Sequence, residues 1–400
     1  RLWGFPIMLG LLGVVFWLTI AGANVPSGLL ADFFFWLQDY LTLAFRWAHA
    51  PEWLHGLLVL GVYRGSAWVI SVMLPPMAIF FPIFTMLEDF GYLPRVAFNL
   101  DRLFRTAGAH GKQSLTMGMG FGCNAAAIVS TRIIESPRER LIAILTNNFV
   151  PCNGRFPTLI TMASLFMGAG VAAAYSTFAA TATVVGIVLI GIATTLAVSW
   201  TLSKTVLCGV PSHFALELPP YRKPQALPVI VRSIYDRTMV VLWRAITTAA
   251  PAGAITWILA NIHIGSNSLL GHAAHFLDPA GHALGLDGMI LMAFLLGLPA
   301  NEIVMPIMIM GYMSAGAMMD ADSLGALKTL LVDQNGWTWL TALNVMLFSL
   351  LHYPCGTTLI TIYKETKSWK WSLFSALMPL AIAIAVTFVV AQVVRAFGWV

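Results

Sequence analysis

Apolar residues run through this chain in long blocks, and the interruptions carry more information than the blocks themselves. Residues 3–21 form a first stretch without charge. Residues 24–65 are mixed, with Asp32, Asp39, Arg46 and Glu52 set among Phe33, Phe34, Phe35, Trp36, Trp47 and Trp53. That pattern predicts amphipathic helices lying in a membrane–water interface. Residues 66–87 form a second span, kinked by Pro75, Pro76 and Pro82 and ending at Glu88 and Asp89. Residues 141–167 are apolar but interrupted by Pro151, Cys152, Asn153, Gly154, Arg155 and Pro157, which predicts a span that crosses as a broken helix. Spans over 171–200 and 238–261 flank a basic connector at 203–237. Residues 289–310 break around Gly297, Pro299, Asn301, Glu302 and Pro306. Residues 337–363 break at His352, Pro354, Cys355 and Gly356, and 371–394 form the last span.

One further interruption stands apart. Met117 to Ser130 reads M-G-M-G-F-G-C-N-A-A-A-I-V-S, with Gly118, Gly120 and Gly122 running into Cys123 and Asn124. Glycine at that density loosens a helix. In a bilayer, freed backbone groups are tolerated only where protein or a water-filled cavity satisfies them. Arg95, Arg102, Arg105 and Lys112 precede the stretch, and Arg132, Arg138 and Arg140 follow it. Basic flanks on both sides place both ends on the cytoplasmic face. The stretch is also too short to cross, since about 20 residues are needed. It reads as a re-entrant hairpin.

Composition agrees with the pattern. The 400 residues are 58% hydrophobic and 10% charged, with a mean hydropathy of +0.81, where soluble chains carry about 25% charged residues. The chain is therefore a multi-pass α-helical membrane protein. Continuous rather than alternating apolar windows exclude a β-barrel. The net charge of +5 comes from basic residues gathered in a few loops, which is the positive-inside signature and not a nucleic-acid footprint. Residues 263–288 hold four His and two Asp with no Lys or Arg, and 311–336 hold Asp320, Asp322 and Asp333 against Lys328. Both are expected on the outer side.

Two pairs of interruptions match each other. Gly120-Phe121-Gly122-Cys123-Asn124-Ala125 aligns with Gly297-Leu298-Pro299-Ala300-Asn301-Glu302, and Pro151-Cys152 with the run to Thr161 aligns with Pro354-Cys355 and the run to Thr361. Each half reads span, re-entrant break, proline-cysteine break, clean span. The loops are basic around the first re-entrant element and acidic around the second. The expected fold is all-α, an inverted-topology repeat of two gate regions with about seven spans plus two re-entrant elements, the architecture of secondary transporters. Its divisions are 1–65 (first span and interfacial helices), 66–202 (first gate repeat), 203–237 (cytoplasmic connector) and 238–400 (second gate repeat). The N-terminus is expected in the cytoplasm.

The breaks hold the chemistry. Cys123, Cys152 and Cys355 offer sulfur, Asn124 and Asn301 amide oxygens, and Glu302 a carboxylate within an apolar run. Met119, Met305, Met308 and His352 offer further donors nearby. Mixed sulfur, nitrogen and oxygen ligation suits Fe(II), Mn(II) or Zn(II) better than Mg or Ca. Arg155 joins Glu302 as a charge within an apolar run, a candidate for function because burying a charge is costly. Each residue also has a plainer reading: cysteine and methionine as apolar filler, asparagine as a cap of a half-helix, and Arg155 and Glu302 as buried charges with structural partners. Glu88 and Asp89 either pair with Arg95 or shape the inner exit. His272 and His275, with His263 and His282, read as a solvated loop or as collectors of metal outside. Of the four cysteines, three lie in apolar stretches, which argues against a disulfide framework. No H-E-x-x-H, G-x-S-x-G or G-x-x-x-x-G-K-[ST] occurs, so nothing marks an enzyme or a nucleotide site.

E-D-F-G-Y-L-P-R-V-A-F (88–98), D-R-L-F-R (101–105), H-G-K (110–112), G-F-G-C-N (120–124), T-R-I-I-E-S-P-R-E-R-L (131–141), P-C-N-G-R-F-P (151–157), E-L-P-P-Y-R (217–222) and K-E-T-K-S-W-K-W (364–371) resemble the membrane region of the ferrous iron transport protein B family, FeoB. The resemblance covers nearly the whole chain. It implies Fe(II) uptake across the bacterial inner membrane between two opposed gate regions, with the family's path-lining cysteines falling on Cys123, Cys152 and Cys355. Ala125-Ala126 departs from the family, where relatives often have V-P. The family usually carries an N-terminal cytoplasmic GTPase domain, which would bring GTP and Mg, and works with a small partner, FeoA. These residues contain no such domain, and Arg1 is expected to mark where it was removed or lost. A homo-oligomer is compatible with the reading. Another divalent metal or a nucleoside-like solute is the alternative cargo. A membrane scaffold or receptor for a GTPase is the alternative of another class.

Overall fold

The computed structural model describes residues 4–167, 173–209, 233–265, 267–319 and 323–398, together with 228, 230 and 231, and is helical nearly throughout. Helix α1 runs from Gly4 to Trp47, 44 residues without interruption. At 1.5 Å per residue it is roughly 66 Å long, about twice the hydrocarbon thickness of a bilayer. The expected separation of a first span from a set of interfacial helices is thereby corrected. Pro26 sits inside the helix, where it removes a single backbone donor, and packing against the next long helix carries α1 through Asn24 and Ser27. Phe33, Trp36, Tyr40 and Trp47 remain exposed along it.

Residues Glu52–Leu87 form one continuous candidate span, most of it in α2, Arg64–Asp89, with three internal prolines. It crosses α9 (Val240–Asn261) at almost bare backbone. A Cβ on Gly253 would strike the carbonyl oxygen of Gly61. Small residues at such a crossing let two helices approach closely within a membrane.

Between these lie the first half's remaining elements: α3 (Tyr92–Thr106), α4 (Gln113–Gly122), α5 (Asn124–Ser130), α6 (Pro137–Thr146), α7 (Phe156–Met162) and α8 (Ala173–Lys204). Helix α6 starts as its sequence dictates. The Ser136 hydroxyl accepts from the Glu139 N–H at 3.5 Å, and Pro137 occupies the first turn.

After α9 the chain forms a short antiparallel hairpin, His263–Ile264 against Asn267–Ser268. It then continues into α10 (Leu269–Ala283) and α11 (Gly288–Leu296), which meet at 111°. Residues 263–288 are thus a folded hairpin and helix, not an extended loop. The Ser268 hydroxyl accepts from the Gly271 N–H at 3.1 Å, Gly285 supplies the left-handed turn at φ 68°, and an Asp278 carboxylate oxygen accepts from the Gly288 N–H at 2.8 Å. The second half closes with α12 (Val304–Tyr312), α13 (Trp339–Leu351), α14 (Gly356–Thr366) and α15 (Trp369–Ala396).

Among the described residues, five helices are long and apolar enough to cross a membrane, or six if the bent α10–α11 pair counts as one span. Trp339–Thr366 is one of the five, crossing as a single span through its break at 352–355. The protein is a multi-pass helical membrane protein.

Candidate functional site

The glycine-rich stretch folds as two half-helices meeting at one extended residue. Helix α4 ends at Gly122, α5 begins at Asn124, and Cys123 between them has φ −152° and ψ 123°. The corresponding position in the second half is Ala300, with φ −151° and ψ 118°, at the start of the helical turn Asn301–Ile303. Two non-glycine residues at aligned positions therefore adopt the same extended conformation, Cys123 directly between two helices and Ala300 after the turn at 297–299.

The proline-cysteine breaks dock on these turns in parallel fashion. The N–H of Asn153, next after Pro151-Cys152, donates to Gly122 O at 3.3 Å. The N–H of Gly356, next after Pro354-Cys355, donates to Leu298 O at 2.7 Å.

These four breaks enclose one cavity. Cys123, Asn124, Cys152, Asn301, Glu302 and Cys355 all line it, and Met73, Gly154 and Thr357 complete part of its wall. It admits about 20 Å³ of water-sized sphere, room for a single water or a bare ion. Cys123, Cys152, Asn124 and Asn301 are buried, at 3 to 8% exposure. The Cys355 thiol and the Thr358 hydroxyl lie 3.2 Å apart.

The Glu302 carboxylate is pressed against the backbone of Gly154, where a Cβ would overlap it. The bare backbone at Gly154 gives this carboxylate from one half room to lie against the break of the other. The Asn124 Oδ1 accepts from Asn147 Nδ2 at 3.2 Å. The oxygens of Asn147 and Asn301 have no hydrogen-bond partner. Buried polar atoms are normally satisfied, so the Asn301 oxygen on the cavity wall is poised to take a water or a cation. Among the described residues no group of three or more His, Cys, Asp and Glu side chains converges closely enough to hold a metal ion. The thiols surround the cavity without closing on a point.

The secondary candidates divide differently. Met119 and Met308 are buried in the main apolar core and Met305 packs against it, and none of them lines the cavity. His352 is buried, with Nδ1 at 2.9 and 3.0 Å from the carbonyls of Phe348 and Ser349 and Nε2 unpartnered. Its ring lies among Phe294, Phe348 and Tyr353, away from the cavity wall.

Arg155 is 1% exposed and is the largest fully buried side chain. It donates to five oxygens: Asn148 O at 2.8 Å, Leu350 O at 2.7 Å, Asn148 Oδ1 at 3.2 Å, His352 O at 3.3 Å and Tyr353 O at 3.1 Å. The side chains of Glu88 and Asp89 lie outside the described residues, as do Asp320 and Asp322. His272 bonds Ile264 O at 2.9 Å and His275 bonds Asp278 at 2.9 Å, both exposed.

A family model described as "Gate: Nucleoside recognition" matches residues 70–166 and 242–369, together more than half of the chain. The chain belongs to this Gate family. All six primary candidates fall within the two Gate regions, three in each, and so do all four breaks. A second model, "Ferrous iron transport protein B C terminus", matches residues 184–237.

Among curated proteins, the chain is similar to a Fe(2+) transporter FeoB of Staphylococcus aureus (strain MSSA476), 29% identical over 98% of this chain and 58% of the relative. It is also similar to one of Methanocaldococcus jannaschii, 27% identical over 92% of this chain and 53% of the relative. A third relative, from Porphyromonas gingivalis, is named a Fe(2+) transport protein A/Fe(2+) transporter FeoB fusion protein, 26% identical over 98% of this chain and 50% of the relative. The chain thus spans between half and three-fifths of the length of these relatives and corresponds to their membrane part. No solved structure matches it significantly.

Sequence reasoning passed over Asn147, Asn148 and Thr357 in this Gate-family site. A signal existed for the first two. Adjacent amides separated from P-C by two residues, inside an apolar run, are polar groups that a membrane helix carries only at a cost.

Proposed function

We propose that this chain carries Fe(II) inward across the cytoplasmic membrane, through the cavity at the meeting point of its four breaks. One observation carries the reading: three thiols, two amide oxygens and a carboxylate, drawn equally from the two Gate regions, line a single ion-sized cavity. Soft and borderline donors mixed with oxygen favour Fe(II), Mn(II) or Zn(II) over Mg or Ca. Donors that surround the ion without a closed cluster suit a cargo, which has to leave again.

The shared backbone geometry of Cys123 and Ala300 supports an inverted repeat, in which one turn brings sulfur and the other a carboxylate at Glu302. The cavity then lies near mid-membrane, where broken helices of such repeats meet. Relatives that are nearly twice as long, and one whose name joins it to Fe(2+) transport protein A, support coupling to a GTPase domain and a FeoA-type partner. The phrase "Nucleoside recognition" in the family description favours a nucleoside-like solute as a second reading. A cavity with room for one water or ion favours the metal.

The test is Fe(II) uptake by proteoliposomes holding the protein. Cys123→Ser together with Cys355→Ser is expected to lower uptake at limiting Fe(II) by at least about tenfold, the equivalent of roughly 1.4 kcal/mol of lost ligation. Unchanged metal uptake in the double variant would overturn thiol ligation. No uptake by the unaltered protein, with its natural cytoplasmic domain attached, would overturn transport and leave the scaffold reading.

A further inference from the structure

The buried guanidinium of Arg155 lies between the two proline-cysteine breaks, at carbonyls that one proline and the end of a helix leave without a helical donor. In an α-helix the carbonyl of residue i accepts from the N–H of residue i+4. Leu350 O would accept from residue 354, which is proline and has no N–H. Helix α13 ends at Leu351, so the carbonyls of His352 and Tyr353 also lie past any helical partner. In the other half, Asn148 stands just ahead of the Pro151-Cys152 break.

A buried carbonyl left without a donor costs roughly 1–3 kcal/mol. Arg155 supplies donors to all four of these carbonyls. Its Nη1 serves Leu350 O and Asn148 O, and its Nη2 serves Tyr353 O, His352 O and the Asn148 side-chain oxygen. The Asn148 amide adds a 2.6 Å bond to His352 O. Only a planar, permanently charged fork can reach both breaks in this way, and the compact ammonium of lysine cannot.

The charge balance is as informative as the geometry. Among the described residues no carboxylate pairs with Arg155, and its positive charge instead meets the carbonyl end of α13, where a helix carries partial negative charge. Cys152 lies three positions before Arg155, and Cys355 two positions after Tyr353. One side chain thus fixes the two thiol-bearing breaks relative to each other. It also leaves the Glu302 carboxylate, which lies against Gly154, outside any ion pair among the described residues.

The geometry points to Arg155 as a positioning residue that sets the separation of Cys152 and Cys355 across the cavity by bracketing the carbonyls of both proline breaks. It touches no cargo. The inference rests on the reading of this cavity as a metal path. It gives Arg155 a role that its sequence-level candidacy as a site charge did not specify.

The experiment has two readouts on the full-length protein in proteoliposomes. In a background with Cys123→Ser and Cys208→Ser, a short bifunctional thiol reagent measures how readily Cys152 and Cys355 are bridged. In the natural background, Fe(II) uptake gives KM and maximal rate separately. Arg155→Lys keeps the charge and loses the fork. It is expected to lower the bridging rate about tenfold and to raise KM about tenfold, the scale on which groups that orient metal ligands act, with the maximal rate within about twofold.

Asn148→Ala removes two of the bracket's hydrogen bonds and keeps the guanidinium, and it should move both readouts in the same direction by less. It carries the test if the lysine variant does not fold. Bridging and KM both unchanged in a folded variant would overturn the inference. Bridging altered as expected, with no uptake by the unaltered protein, would sustain the positioning role and overturn the transport reading instead.

Discussion

At Gly154 the absence of a side chain is itself functional geometry. A Cβ there would overlap the Glu302 carboxylate, and crowding a packed interior costs roughly 1–3 kcal/mol. Because the group in the way is the flexible end of a side chain, Gly154→Ala is expected to lower thermal stability only by the low end of that range, about 1 kcal/mol, and to reduce Fe(II) uptake by pushing the carboxylate off the cavity wall. Gly10→Ala, where nothing lies within 4 Å, serves as the silent comparison. A Gly154→Ala protein with unaltered uptake would detach Glu302 from the site.

Asn301 offers the opposite signature. Its side-chain oxygen has no partner, so Asn301→Leu removes an unsatisfied group and should leave stability unchanged or raise it by up to about 1 kcal/mol, while uptake falls. Gains in stability at the cost of activity mark residues kept for function. Thermal unfolding and uptake, measured on the same preparation, separate this from a purely structural amide, whose removal would cost stability.

Two helices, α5 and α14, leave the cavity from cysteines that immediately precede their first residues, Cys123 and Cys355. They pack together, seal Ile128 and Ile362 with Ile144 of α6, and are joined beyond the seal by a fork between Arg132 and Glu365 at 2.9 and 2.7 Å. Arg132 is 66% exposed, so a double-mutant cycle on this pair should give a coupling of at most about 1 kcal/mol that shrinks with added salt. Stability there belongs to the isoleucines. A coupling of several kcal/mol would show the pair to be far less hydrated than its exposure indicates.

The broken elements were the most legible part of the sequence, because glycine, proline and polar residues inside apolar runs have few other uses. The long α1 was not legible. Asn24, Pro26 and Ser27 read locally as an end, and only packing on α2 carries the helix through. The helix at 269–283 was hidden by its histidines and glycines, which suggest a solvated loop until Ser268 is seen to cap it. Met119 and Met308 fill the core, while the cavity methionine, Met73, had no motif to mark it. The roles of Asn148 and Arg155 required knowing which carbonyls the prolines leave bare across a separation of nearly 200 residues.

As a whole, the molecule is two Gate regions that are each incomplete. The first supplies Cys123, Asn124 and Cys152 to the cavity, and the second supplies Asn301, Glu302 and Cys355. The contacts between them are specific: Arg155 with the carbonyls of residues 350, 352 and 353, Asn148 with His352, Glu302 against Gly154, and Arg132 with Glu365. The described residues of the link at 203–237 contribute none of these contacts. Helices that are individually stable in a bilayer associate by packing and interhelical hydrogen bonds, so the association of the halves should not depend on covalent connection. Residues 1–202 and 238–400, expressed as separate chains, are each expected to insert without supporting uptake. Co-expressed, they should copurify and recover a substantial part of the uptake of the intact protein. Arg155→Met in the first fragment, which removes every guanidinium donor of the bracket, should weaken copurification more than Arg132→Met does, because it opens several buried carbonyls while the other breaks a single ion pair. Equal copurification with both variants would place the affinity between the halves in apolar packing alone.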